Sequence, residues 1–338
     1  MSAISTVGVV GAGAWGTTLS AMAASAGHGA LIWAREADVV EAINARHENP
    51  RFLPGVALDE GLRATGQLGE LGACDALLLA APAQRLRAVA QALAPALKPG
   101  MPVVICAKGI EQDSLALMSE AVGESLPDPA IAVLSGPTFA AEVARGLPTA
   151  VTLACADAEL GTELATLLGS ATFRPYLTDD VVGAQVGGAV KNVLAIACGI
   201  AQGRGLGDNA RAALITRGLA EMARLGSALG ARPETLTGLS GLGDLVLTCA
   251  GEQSRNMSLG LALGTGHSLV DVLARRESVA EGVATAQAVS RLAARHEVEV
   301  PICATVDAIL HRGADIDTAI GALLARPFTA EAGARPAN

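Results

Sequence analysis

The amino-acid sequence predicts an α/β protein: a doubly wound, mostly parallel sheet in the first half, followed by an all-helical second half. Three observations carry this. The short apolar runs of the first 180 residues are continuous rather than alternating, as in strands covered on both faces. They alternate with helical stretches, the mark of βαβ units. Beyond about residue 179 strand patterns nearly vanish and long Ala/Leu/Gly-rich helical stretches take over.

In chain order, TVGVV at 6–10 predicts a strand, 15–26 a helix, ALIWA at 30–34 a second strand and 38–47 a helix. The run Asn49-Pro50-Arg51-Phe52-Leu53-Pro54-Gly55 reads as a loop, because Pro and Gly punctuate it. ALLLAA at 76–81 is a buried strand, 85–94 a helix, and 103–106, 131–134 and 151–154 continue the strand series. Helices are expected over 180–203, 210–230, 258–263, 268–275, 282–296 and 303–312. This gives a first domain over 1–180, a helical domain over 181–326 and an Ala/Gly/Pro-rich tail over 327–338 that is expected to fray.

Composition narrows the class. A chain of 338 residues suits two domains. With 51% hydrophobic and only 17% charged residues, intrinsic disorder is excluded. No run approaches the roughly 20 apolar residues of a spanning helix, so none is expected. The start of the chain has no basic segment, so no signal peptide is expected. A net charge of −9 and 2% aromatics argue against a nucleic-acid surface. Cys74, Cys106, Cys155, Cys198, Cys249 and Cys303 form no CxxC and no Cys/His cluster. They read as buried thiols in a reducing, cytoplasmic compartment, with no metal site.

Gly11-Ala12-Gly13-Ala14-Trp15-Gly16 directly follows the first strand and opens a helix. In that setting GxGxxG is the dinucleotide fingerprint of a Rossmann-like domain. Gly11 makes the tight turn, Gly13 lets backbone approach a diphosphate, and Gly16 allows close helix–strand packing. The helix N-terminus offers N–H groups to the phosphates. At the end of the second strand stands Arg35, where an acidic residue would bind a ribose 2′-hydroxyl. A guanidinium suits a 2′-phosphate, so NADPH is the expected cofactor, with Glu36 leaving NADH open.

A nicotinamide reduces a carbonyl by hydride transfer, and the developing alkoxide needs an acid. No histidine stands in a promising context. Lysine is pointed: of 24 basic residues only Lys98, Lys108 and Lys191 are lysines. Lys98 precedes Pro99-Gly100 and reads as surface. Lys108 follows a strand, at the carboxyl edge where such sheets bind ligands. Lys191 shares its i±4 row with Gly183, Gly187, Ala195 and Gly199, so another surface can approach closely and bury it, lowering its pKa. Asp244, at a helix start after Gly241-Leu242-Gly243, is either a cap or the partner that orients Lys191. Ser254 is a natural N-cap, and Arg255 and Asn256 behind it stand where a phosphate binds well.

Together these residues resemble the bacterial-type NAD(P)-dependent glycerol-3-phosphate dehydrogenases over about 5–325. The similarity rests on GAGAWGT (11–17), FLPG (52–55), AKGIE (107–111), LSGPTFAAEV (134–143), VKNVLAIACGIAQG (190–203), SGLGDLVLTC (240–249), SRN (254–256) and AEGV (280–283). The resemblance implies reduction of dihydroxyacetone phosphate to sn-glycerol 3-phosphate in the cytoplasm, for phospholipid synthesis. It implies Lys191 as proton donor, with Lys108, Gly136, Thr138, Asp244, Ser254, Arg255 and Asn256 lining the substrate. It implies Ala14, Trp15, Arg35, Lys108, Ala140, Arg255, Val279 and Glu281 along the cofactor, and admits a homodimer. One departure is Pro82-Ala83, where the family usually has Pro-Ser. A β-hydroxyacid dehydrogenase and a catalytically silent nucleotide sensor are the alternatives on the same architecture. Ser254-Arg255-Asn256 argues against the first, and Lys108, Lys191 and Asp244 together against the second.

Overall fold

The structure, a computed structural model, describes residues 4–251, 253–275 and 280–327. Its strands are β1 (Thr6–Val10), β2 (Gly29–Trp33), β3 (Glu48–Asn49), β4 (Leu53–Ala57), β5 (Leu62–Thr65), β6 (Ala76–Leu79), β7 (Pro102–Ile105), β8 (Ala130–Ser135), β9 (Thr149–Cys155) and β10 (Phe173–Thr178). Eight of them, among the described residues, form one sheet in the order β10-β9-β8-β7-β6-β1-β2-β5. β1 pairs in parallel with β2 on one side and β6 on the other, so the strand order reverses at β1. That reversal opens a crevice at the carboxyl ends of the strands. Only β8 and β9 pair antiparallel within this sheet among the described residues.

The central strands were legible because they are buried on both faces: β6 and most of β1 have no exposed residue. Two edge strands fell outside the expectation. β5 and β10 close the sheet at opposite ends; Arg63 interrupts β5, and β10 buries only Phe173 and exposes Arg174, Tyr176 and Leu177, so neither shows a continuous apolar run. The expected loop over 49–55 is a correction. Asn49 ends β3, and β4 returns antiparallel to it with a register shift, so the Pro and Gly residues shape a short hairpin.

The helices flanking the sheet are α1 (Ala14–Ser25), α2 (Ala37–Arg46), α3 (Ala83–Leu93), α4 (Met118–Gly123), α5 (Ala140–Ala144) and α6 (Ala158–Leu168). From Val181 onward no strand occurs among the described residues. The elements there are α7 (Val181–Gly203), α8 (Gly207–Ala228), α9 (Pro233–Thr237), α10 (Asp244–Ala250), α11 (Arg255–Gly264), α12 (Leu269–Ala274), α13 (Glu281–Arg295), α14 (Pro301–His311) and α15 (Ile316–Leu324). Sequence periodicity missed α4, α5, α6, α9 and α15. The expected tail lies, from residue 328, outside the described residues.

α7 is the axis of the helical half. It runs 23 residues and buries every position from Gly183 to Ala201. By length and apolarity it could cross a membrane, which corrects the expectation that no segment reaches that threshold. Its surroundings decide otherwise: 83% of its most apolar window is buried inside the protein, as in the core helix of a helical domain. Glycine permits this enclosure. A Cβ on Gly199 would overlap the Met257 carbonyl of α11, and one on Gly260 would overlap the Ile196 carbonyl of α7. One row of small residues therefore seats α11 backbone to backbone, and Gly187 does the same for the Ser240–Gly241 turn.

Two glycine substitutions should move stability in opposite directions. Gly199→Ala must push α11 off α7 and should cost about 1–3 kcal/mol or more, as overpacking does. Gly321→Ala meets nothing within 4 Å on the exposed α15 and should stabilise, by up to about 1 kcal/mol, through helix propensity. Urea unfolding midpoints check both signs.

Candidate active site

Three of the groups singled out in the sequence meet at one carboxylate. Lys108 lies just past β7, Lys191 in the middle of α7, and Asp244 opens α10. Lys191 Nζ donates to Asp244 Oδ1 at 2.7 Å, and Lys108 Nζ donates to Asp244 Oδ2 at 2.6 Å. Asp244 is fully buried. Its carboxylate faces the two ammonium groups and not the backbone of its own helix, so the capping alternative falls away. A five-residue π-turn, Leu239–Gly243, leads into α10. Gly241 in that turn packs so tightly that a Cβ would overlap the Leu236 carbonyl. The broad turn lets the chain sit against Gly187 and delivers Asp244 to α7.

Electrostatics follow from burial. Lys191 is 7% exposed. Loss of water pushes its pKa down; the Asp244 carboxylate opposes this and the Lys108 ammonium adds to it, bringing Lys191 from 10.5 to about 8. Thr248, one turn along α10 from Asp244, accepts a second hydrogen bond from Lys191 Nζ at 2.8 Å. Lys108 Nζ also donates to the Gly136 carbonyl at 2.9 Å, and Thr138 Oγ1 donates to that same carbonyl at 3.3 Å. This ties the loop after β8 to the two lysines. Ser135 ends β8 with its buried hydroxyl unpartnered, against the Lys108 stem and Gly188.

The helical half contributes a second layer. Ser254 caps α11, its Oγ accepting from Met257 N–H at 3.2 Å. Arg255, the first residue of α11, is exposed, and its charge is felt by Glu281. Asn256 is turned inward. It donates to Asn192 Oδ1 at 2.9 Å and accepts from Gly282 N–H at 3.0 Å, joining α7, α11 and the start of α13. Asn192 reaches the Lys108 carbonyl at 3.4 Å. Glu281 crosses to the sheet half. Its Oε1 accepts from Ala83 N–H at the start of α3 at 3.1 Å, while Oε2 is buried without a partner. Burial raises the Glu281 pKa. The Ala83 methyl lies beside this contact, next to Gly109. Lys98 is exposed, as expected of a turn lysine. Val279 lies outside the described residues.

The nucleotide half fits a dinucleotide at three glycines. Gly11 adopts φ 106° directly after β1, and a Cβ there would press on Ala81 N at 3.0 Å. Gly16 packs so closely that a Cβ would overlap the Gly11 carbonyl. Gly13, the N-cap of α1, meets nothing within 4 Å, and no side chain caps the helix. The open side of the turn is thus backbone N–H at a helix N-terminus, which suits a diphosphate. Ala14 and Trp15 form the first turn of α1. The Trp15 ring points away toward Phe173, with centroids 6.4 Å apart. Ala140 opens α5 beside it, its carbonyl accepting from Thr18 Oγ1 at 3.2 Å. Arg35 follows β2 with its side chain 82% exposed, paired to Glu36 at 2.7 Å.

Sequence reasoning missed Asn192 and Thr248, and marked Ala83 only as a departure from a resembled pattern. Thr248 was findable, since it is four residues from Asp244 and shares its helix face. Asn192 acts only through tertiary contacts, and the backbone N–H by which Ala83 meets Glu281 leaves no local pattern either.

Comparison with known proteins agrees with this geometry. Residues 6–161 match the family model of the NAD-dependent glycerol-3-phosphate dehydrogenase N-terminus, and residues 180–321 that of its C-terminus. The chain is 58% identical over 331 residues to a glycerol-3-phosphate dehydrogenase acting with NAD(P)+ from Maricaulis maris, covering 98% of this chain and 99% of the relative. It is 59% identical over 328 residues to the protein of that name from Rhodospirillum rubrum, covering 97% and 94%. The crystal structure of glycerol-3-phosphate dehydrogenase from Coxiella burnetii superposes with a TM-score of 0.92 at 40% identity, covering 96% of this chain and 99% of that one.

Proposed function

The chain belongs to the NAD-dependent glycerol-3-phosphate dehydrogenase family and reduces dihydroxyacetone phosphate to sn-glycerol 3-phosphate with NAD(P)H; on that premise we propose that Lys191 is the acid of the reaction, held by Asp244 beside Lys108. One observation carries this: a buried ammonium brought to about pKa 8, with two of its three donors fixed on Asp244 and Thr248 among the described residues. The remaining N–H is free to meet the substrate oxygen.

Bound nicotinamide supplies the hydride that turns the C2 ketone into an alcohol. The chain's part is positional and electrostatic. Lys191 gives its proton to the C2 oxygen as negative charge gathers there, and in the reverse direction takes it back. Lys108, the more open of the two lysines, adds positive charge beside that oxygen. Asp244 holds both and reacts with neither. Gly136 and Thr138 line the same wall. Ser254, Arg255 and Asn256 form the anion end, where the first turn of α11 offers N–H groups and Arg255 a guanidinium to the phosphate. Glu281 and Ala83 bring the start of α13 to the nucleotide half.

In this reading residues 1–180 carry the nucleotide and 181–326 the substrate. Gly11, Gly13, Ala14, Trp15, Gly16 and Ala140 receive the nucleotide, and Arg35 favours NADPH through its 2′-phosphate. Six buried free cysteines support a reducing, cytoplasmic setting, and the product is the backbone of glycerophospholipids. A homodimer is supported by α15, an apolar helix that buries none of its residues and leaves Leu324 79% exposed. Sedimentation velocity should then give about twice the chain mass, and a monomer at micromolar concentration rejects that assembly.

Lys191→Ala and Lys191→Arg should each lose about 10²–10⁴-fold in single-turnover hydride transfer, since alanine has no proton and arginine does not release one. NADPH binding, followed by fluorescence, should be retained. In the wild type the reduction needs the protonated amine, so its rate falls as pH rises through about 8. Oxidation of glycerol 3-phosphate needs the free amine and rises through the same value. A Lys191→Ala rate within tenfold of wild type moves the role to Lys108.

The two arginines should separate the two anions. Arg35→Ala should raise KM for NADPH by roughly tenfold and leave NADH nearly unchanged, a charge-assisted contact discounted for exposure. Arg255→Ala should weaken dihydroxyacetone phosphate while discriminating less against phosphate-free dihydroxyacetone. Equal effects on both cofactors, or an unchanged phosphorylated substrate, removes the respective residue from its site.

A further inference from the structure

The β3–β4 hairpin lies outside the main sheet, yet one of its side chains is sealed inside the nucleotide half. Asn49 is completely buried. Its Oδ1 accepts from Phe52 N–H at 3.2 Å, which fixes which way the amide faces. Its Nδ2 then donates twice, to the Ala12 carbonyl at 2.9 Å and to Thr17 Oγ1 at 2.8 Å. Thr17, also completely buried, donates from Oγ1 to the same Ala12 carbonyl at 3.3 Å. Ala12 is the middle of the Gly11-Ala12-Gly13 turn.

We propose that Asn49 is a positioning residue for the cofactor: by anchoring the Ala12 carbonyl inward, it aims the Gly13 N–H outward at the diphosphate. The reason is the geometry of the peptide unit. Carbonyl and N–H of a trans peptide point in opposite directions, and the plane does not bend. With Ala12 C=O held inside the protein by two donors, the N–H of the next residue faces the open side of the turn, where Gly13 meets nothing within 4 Å. Glycine on either side of Ala12 leaves the turn's backbone little steric restraint of its own, and a peptide flip there costs little. Two buried hydrogen bonds remove that freedom before the nucleotide arrives, the general way preorganisation raises affinity. The hairpin is thereby part of the nucleotide site without touching the nucleotide. This inference rests on the dinucleotide reading of the previous subsection.

Asn49→Asp tests it. The variant keeps the shape and the acceptor for Phe52 N–H, but sets an oxygen against the Ala12 carbonyl. NADPH, titrated by fluorescence, should bind about tenfold or more weakly. ADP-ribose, competing for the site, should weaken in parallel, while adenosine 2′-phosphate, which lacks the diphosphate, should not. In steady state KM for NADPH should rise while kcat at saturating NADPH holds. Thr17→Val, which removes the second anchor without placing a charge, should weaken NADPH in the same direction, and Thr17→Ser should restore it. If Asn49→Asp fails to fold, the Thr17 pair decides alone. NADPH binding within twofold of wild type in Asn49→Asp or in Thr17→Val overturns the proposal, as does equal weakening of ADP-ribose and adenosine 2′-phosphate. A wild-type protein that binds no NADPH fails the dinucleotide reading itself, a different result from variants that bind as the wild type does.

Discussion

One carboxylate shared by two lysines organises this molecule. Asp244 is fully buried, and Lys108 and Lys191 reach it from opposite halves of the chain. Two like charges would not otherwise sit this close. Their repulsion and the burial of Lys191 favour a neutral amine, the carboxylate favours the ammonium, and the balance near pH 8 leaves the amine able to hold or release a proton. A third positive charge in place of Asp244, or no charge at all, would tip that balance toward the neutral amine. The same contact also joins the sheet to the helices, so the protonation of the Lys191 amine and the fit between the two halves depend on one side chain.

Much of the framework exists to bring Asp244 to Lys191. A lysine in the middle of a helix normally extends toward solvent. Here the small residues on its row let the π-turn before α10 and the backbone of α11 close over α7, and the amine has no exit. Asn192, Asn256 and Glu281 then link α7, α11, α13 and α3 by buried hydrogen bonds. The unpartnered Glu281 Oε2 and Thr285 Oγ1 both lie beside Gly109, next to Lys108, and the unpartnered Ser135 Oγ lies beside Gly188.

Legibility followed burial and local pattern. The central strands could be read because they are apolar on both faces; β5 could not, because its four residues are broken by Arg63, nor β10, which exposes Arg174, Tyr176 and Leu177. The scarcity of lysine drew attention to Lys108 and Lys191, and the row of small residues showed why Lys191 would be enclosed. The role of Asp244 stayed open, since a helix-opening aspartate looks the same in sequence whether it caps or pairs. Asn49 was hidden in what read as a loop, 32 residues from the hydroxyl it holds. Such partnerships are written in three dimensions only, and neither spacing nor propensity records them.

The enclosure of α7 has a consequence for the chain during its synthesis. The helix is complete at Gly203, while α13, one of those that cover it, ends at Arg295, 92 residues later. At elongation rates of about 5–20 residues per second, that gap lasts roughly 5–18 s. Throughout it the ribosome presents a 23-residue segment whose mean hydropathy reaches 1.5, a composition that a lipid bilayer would accept. The lysine at its centre then has a second use. A charged residue midway along a helix is costly to place in a membrane, by roughly 2.5–3.5 kcal/mol, so the amine proposed as the acid of the reaction also biases the nascent helix toward waiting in water for its partners.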